Sequence, residues 1–180
     1  SIDTVLCTHL HVDHVGWNTM WVDEKWVPTF PNARYLFGRT EWDHWSQEQN
    51  SQARGEDIIG DSVQPIVDAN LADLVDSDHK ITDEIWLEPT PGHTPGHVSV
   101  RISSQGEDAL ITGDFMHHPC QMARPNWRSS ADYDGEWAEN TRNDLLEQYA
   151  DQPVLVIGTH FATPTAGHIL RDGDVYRFKV

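Results

Sequence analysis

Apolar residues in this chain fall mostly in short runs bounded by turn-forming residues, with a few stretches of helical spacing between them. Ile2 to Thr8 is such a run and reads as a short buried strand, with "HLHVDH" at its C-terminal end. "WVDEKWVP" at 21–28 predicts a hairpin turned at Asp23 to Lys25, and Ala33 to Phe37 predicts another strand. "RTEWDHWSQEQ" reads as a helix capped by Thr40, with Asp43 in its first turn and Trp42 and Trp45 on one face. The polar, glycine-punctuated segment 50–60 reads as a loop. "DSVQPIVDANLADLV" then predicts a helix that turns Val63, Ile66, Val67, Leu71 and Leu74 inward, with Asp73, Asp76 and Asp78 on a solvated face.

"EIWLEP", "HVSVRIS" and "ALITGD" predict three strands, the second alternating Val98, Val100 and Ile102 on one face, with a turn at "SQGED". Residues 115–133 read as a long irregular loop, and loops of that length inside compact domains are often functional. "GEWAENTRNDLLEQYA" predicts an amphipathic helix with Trp137, Thr141, Leu145 and Tyr149 on one stripe. "PVLVIGTH" predicts a last buried strand, and "GHILRDGDVYRF" a closing hairpin turned at Asp172 to Asp174. Strands and helices alternate without repeats, so the chain is expected to be α/β, and 180 residues suit one domain over 1–180.

Charge narrows the partners. The chain carries 12 basic and 29 acidic residues, a formal charge of −17, and such a field repels nucleic-acid phosphates. No run of 18 apolar residues exists, so no membrane span is predicted. Cys7 and Cys120 have no paired spacing, which argues against a disulfide framework and against a cysteine-built zinc site. Cys7 reads as a small core residue. The compartment stays open. The cytoplasm is slightly favoured, and a chain opening at "SIDTVLC" leaves room for an upstream signal.

The candidate chemistry lies at strand ends. In an extended segment alternate side chains share a face, so His9, His11 and Asp13 can point together, and a turn brings His14 alongside. His93, Asp114 and His160 follow three later strands, and side chains at strand ends can converge on one crevice. Imidazole suits zinc and other borderline ions, while a carboxylate can bridge two. One tetrahedral ion cannot use all these groups; two ions about 3.5–4 Å apart can.

"HLHVDH", "PGHTPGH", "TGD" and "GTH", in this order, resemble the metallo-β-lactamase fold hydrolases, over nearly the whole chain. The resemblance implies an αββα sandwich with a metal centre along one edge of its two sheets. It implies a first metal held by His9, His11 and His93, and a second by Asp13, His14 and His160, with Asp114 bridging both. His97 has no ligand position in that pattern and is expected to orient its neighbours. "GDFMH", "GTHFATPTAGHI" and the terminal "YRF" are more similar to the branch containing methyl parathion hydrolase. Lactonases of the family often carry a tyrosine three residues after the bridging aspartate, where this chain has His117. The family's strand-rich N-terminal portion is not matched. The expectation is therefore a sandwich lacking that part, with a homo-oligomer as one way to cover the exposed sheet.

These features imply a hydrolase with two divalent ions per chain, zinc first, with iron, manganese and cobalt left open by the ligand types. The ions would activate a shared water against an ester, lactone or phosphotriester-like bond of a small molecule. Asp13 and Asp114 are the expected catalytic carboxylates, and Trp17, His117, His118 and Phe161 the expected substrate contacts. The alternatives are a non-catalytic metal-binding fragment and an iron-loaded redox relative of the same fold.

Overall fold

The structure is a computed structural model that describes residues 2–47 and 57–180. Two compact units divide the chain, Ser1–Asp76 and Ser77–Val180.

The N-terminal unit contains β1 (Thr4–Leu6), α1 (Val12–Val15), β2 (Thr19–Val22), β3 (Lys25–Pro28), β4 (Arg34–Gly38), α2 (Arg39–Trp45), α3 (Ile58–Ser62), α4 (Gln64–Asp68) and β5 (Ala72–Val75). Strands β1, β4 and β5 form a parallel sheet in the order β1-β4-β5, with Val5 opposite Tyr35 and Phe37 opposite Leu74. Its core gathers Cys7, Leu10, Val15, Tyr35, Phe37, Val63 and Ile66. The β2–β3 hairpin turns through Asp23 and Glu24 at φ 48° and 62°, the left-handed pair that a two-residue turn between right-twisted strands requires. Trp21 and Trp26 face each other across it, ring centroids 5.1 Å apart and edge-to-face.

Two sequence-based expectations change here. Helix α2 starts one residue before Thr40, and Gly38 takes the N-cap position with no side-chain bond. Its expected last residues, Glu48 and Gln49, lie outside the described residues, as do 50–56 of the expected loop. The helix expected over 61–75 is two short helices followed by strand β5. Asn70 at φ 57° ends helical geometry, and residues 72–75 pair with β4. The guanidinium of Arg34 fixes that pairing by bonding the Asp73 carboxylate and the carbonyls of Asn70 and Ala72. Val63 and Ile66 are buried as expected, while Leu71 and Leu74 reach the same core from the extended segment. Apolar spacing alone could not separate these two solutions.

The C-terminal unit contains β6 (Ile85–Pro89), β7 (Val98–Ser104), β8 (Glu107–Ile111), α5 (Cys120–Ala123), α6 (Gly135–Tyr149), β9 (Val154–Ile157), β10 (Ala166–Asp172) and β11 (Val175–Lys179). They form a six-stranded sheet in the order β11-β10-β9-β8-β7-β6, antiparallel except between β8 and β9. The parallel pair needs a crossover, and residues 112–153, including α6, supply it. Leu110, Val156 and Ile169 of the sheet pack with Leu145, Leu146 and Tyr149 of α6, together with Phe115, Met122 and Phe161.

Helix α6 is capped by Asp134, whose Oδ1 accepts the N–H groups of Glu136 and Trp137 at 3.0 Å each. Its buried face runs through Ala138, Arg142, Leu145, Leu146 and Tyr149, whereas Trp137 is exposed. Leu145 and Tyr149 of the expected stripe are thus buried, while Ala138 and the fully buried Arg142 take the place expected of Trp137 and Thr141. Among the described residues, no helix is long and apolar enough to cross a membrane.

Candidate metal centre

In the N-terminal unit the chain leaves β1 and bends at His11, whose extended ψ of 155° precedes the single turn of α1. That turn brings the expected histidines together: the His9 ring lies 4.8 Å from His11 and 4.1 Å from His14. Asp13 is exposed beside them, its Oδ2 3.4 Å from His14 Nε2. A buried carboxylate that no sequence motif marks holds the loop. Glu41 Oε2 accepts the N–H of Leu10, between the two ligand candidates, at 3.1 Å, and the indole N–H of Trp45 at 2.8 Å. The Trp45 ring in turn stands edge-on to His11 at 5.4 Å.

In the C-terminal unit His93 follows Gly92, which adopts φ +123°. A Cβ there would lie 2.3 Å from the backbone nitrogen of Ala138 in α6, so only glycine permits this approach. Thr141 of the same helix donates its hydroxyl to the Pro91 carbonyl at 2.6 Å. His97 is buried and bonded at both nitrogens: Nδ1 lies 3.0 Å from the Thr90 carbonyl, and Nε2 accepts the Asp114 N–H at 2.7 Å. Those partners require the proton on Nδ1. The histidine expected to orient its neighbours thus anchors the backbone of Asp114.

Asp114 is buried, and three imidazoles converge on its Oδ2. His160 Nε2 lies at 3.0 Å, His117 Nε2 at 3.3 Å and His93 Nε2 at 3.5 Å. The His117 and His160 rings stack with centroids 5.4 Å apart. Ligand-capable atoms of His93, Asp114 and His117 all lie within 4.8 Å of one another. His93 Nδ1 meets Asp132 Oδ1 at 3.0 Å. In the neutral ring that bond takes the proton on Nδ1 and leaves Nε2 as a lone pair facing the Asp114 carboxylate. Two lone-pair bearers that close are matched by a cation between them, so this donor set fits a divalent metal.

Asp132 itself was not singled out by the sequence, since it sits 39 positions from its partner in the loop. Burial tends to raise its pKa, but hydrogen bonds from His93 and the Ser129 N–H, with the charge of Arg142, hold it below the ordinary carboxylate value.

The expected substrate contacts have diverse settings. His117 stands at Asp114, as described. His118 is exposed, and its Nδ1 accepts the Cys120 N–H at 3.1 Å at the start of α5. Trp17 is 81% exposed. Phe161 is instead a core residue: it is buried, set edge-on to Phe178 at 5.2 Å, and packed against Gly158, which has no room for a Cβ beside the ring. Its packing role replaces the expected pocket role, because the turn after β9 points the ring into the sheet–helix core.

Residues 1–160 match the family model described as "Metallo-beta-lactamase superfamily". A probable metallo-hydrolase, YybB of Bacillus subtilis, is 26% identical over 161 residues, covering 87% of this chain and 63% of its own length. An N-acyl homoserine lactonase of Bacillus thuringiensis is 26% identical over 159 residues, covering 86% of this chain and 54% of its own. Among solved structures, the hydrolase AbOPH of the beta lactamase superfamily superposes with a TM-score of 0.86 at 28% identity, covering 98% of this chain and 63% of that one. The dizinc quorum-quenching lactonase AidC, solved with a product, gives a TM-score of 0.80 at 22% identity over the same shares, a likeness of fold. The chain thus spans between about half and two thirds of the length of these relatives.

Proposed function

As the chain belongs to the metallo-beta-lactamase superfamily, we propose that it is a metal-dependent hydrolase acting on an ester, lactone or phosphotriester-like bond of a small molecule. In this reading His9, His11, Asp13 and His14 are ligands for divalent metal, as are His93, Asp114 and His160, and the chain takes two ions. The observation that carries it is the convergence of His93, His117 and His160 on one buried carboxylate oxygen. Zinc is the expected metal, as a dizinc lactonase shares the fold.

Two bound ions would supply a water acidified from about 15.7 towards 7 and a charge to polarise the scissile carbonyl or phosphoryl group. The remaining work falls to the chain. Asp114, with its backbone pinned by His97, holds a fixed negative charge at the heart of the donor set. Asp13 carries a proton to the leaving group in this reading, which its exposure and its contact with His14 support. His117 contacts the substrate from its position against Asp114, and Trp17 offers an exposed aromatic surface for an apolar part. A net charge of −17 favours neutral substrates over polyanionic ones.

Elemental analysis of protein purified without chelator should find two transition-metal ions per chain. Hydrolysis of an aryl ester and of an N-acyl homoserine lactone should then be lost in Asp114→Ala. A metal-free wild-type chain, or Asp114→Ala with unchanged kcat, overturns the reading.

A further inference from the structure

We propose that Asp132 is the positioning residue of His93, fixing its tautomer so that Nε2 is held as a lone pair for a metal ion; the assignment rests on the reading of His93 as a ligand. Both side chains are almost wholly enclosed, each 1% exposed, and Oδ1 meets Nδ1 at 3.0 Å. The second carboxylate oxygen is engaged elsewhere, accepting the Ser129 N–H at 2.9 Å and lying 3.7 Å from the Arg142 guanidinium. Each oxygen therefore faces a donor, and the carboxylate cannot rotate away from His93 without abandoning both.

The backbone makes the same pairing obligatory. The N–H of Tyr133 donates to the His93 carbonyl at 2.9 Å, and that of Asp134 to the Gly92 carbonyl at 3.1 Å. The loop is thus zipped to the ligand's own segment beside the pair. Arg142, fully buried in α6, fastens the remaining loop by donating to the Pro125 carbonyl at 3.0 Å and the Phe115 carbonyl at 3.3 Å. Phe115 follows Asp114 directly, so one helix residue ties the surroundings of both candidate ligands. A carboxylate behind a metal-bound imidazole fixes ring orientation and strengthens the nitrogen as a donor.

The isosteric variant gives the sharpest test. In Asp132→Asn only one oxygen remains, and Ser129 N–H and Arg142 both call for it. The amide then turns its NH2 towards His93 Nδ1, which must accept, and the ring proton moves to Nε2. A side chain that merely fills space would leave Asp132→Asn neutral.

Two measurements decide it. Long-range 1H–15N NMR of the metal-free chain near pH 8, with the His93 signals assigned by their loss in His93→Ala, should show the Nδ1–H tautomer in the wild type and Nε2–H in Asp132→Asn. Equilibrium zinc competition against a chromophoric chelator should show both Asp132→Asn and Asp132→Ala weakened about 10–100-fold at one site. An Nε2–H tautomer in the wild type, or zinc affinity in Asp132→Asn within about twofold of wild type, overturns the assignment. If His93→Ala itself binds zinc as the wild type does, the metal-centre reading has failed and this assignment falls with it.

Discussion

Cys7 is placed at the end of β1, beneath the histidine loop, and burial decides its chemistry. Removal from water pushes its thiol up to about 11, only partly offset by the hydrogen bond with Asn18. A raised value means that the folded state favours the neutral thiol. This contribution is whole below the unfolded thiol's value and is lost as pH climbs through the folded one. A rise of that size is worth on the order of 3 kcal/mol. Chemical denaturation between about pH 8.5, the free-thiol value, and the folded value of about 11 should therefore show a smaller alkaline loss in Cys7→Ala than in the wild type. Equal slopes would show that the thiol is not the group responsible. At the same scale, the clustering of the histidines of "HLHVDH" was legible from their types and spacing alone. Glu41, Asp132 and Arg142 were not, because each acts through a partner remote in sequence and looks like an ordinary surface charge.

Helix α6 is the element on which the placement of His93, a candidate ligand, depends. Its N-terminus is capped by Asp134, and its backbone at Ala138 touches Gly92, one residue before His93. Asp134→Ala should cost about 1 kcal/mol, the usual worth of such a cap, read as a lowered denaturation midpoint with an unchanged m-value. Gly92→Ala should cost more, since the new methyl meets backbone and the φ of +123° is strained for any Cβ. It should also weaken zinc binding, because relief of the clash displaces His93. A Gly92→Ala protein with wild-type midpoint and zinc affinity would show that the helix does not dictate the loop. The helix itself was legible from its period. Leu145 and Tyr149 of its buried face were legible too, but hydrophobicity could not anticipate Arg142, bonded to two carbonyls and set beside the Asp132 carboxylate inside a core.

For the whole molecule, a metal ion held by the native chain would add its binding free energy to the stability of the fold that presents the ligands. At a free-zinc concentration of about 100 Kd the gain is about 2.7 kcal/mol. Calorimetry should show a higher Tm with zinc than after chelation, the difference growing with zinc concentration. A Tm indifferent to chelator in a zinc-loaded sample would contradict a metal centre in the folded chain. The −17 charge acts at this scale too, keeping polyanions away without specifying any fold.

Residue order was enough to determine the α/β alternation, the hairpins at Asp23 to Lys25 and Asp172 to Asp174, and the gathering of histidines in the first motif. These depend on local rules: the period of apolar positions, turn chemistry and the donor atoms of histidine and aspartate. Tertiary structure alone decided that residues 72–75 form a strand, that Phe161 is core, and that Asp132 stands behind His93. Each of these outcomes depends on which distant segment supplies the hydrogen-bond or packing partner. Pairing with β4, closure over Gly158 and zipping to residues 92–93 are contacts made across the fold, and no local pattern in the chain encodes them.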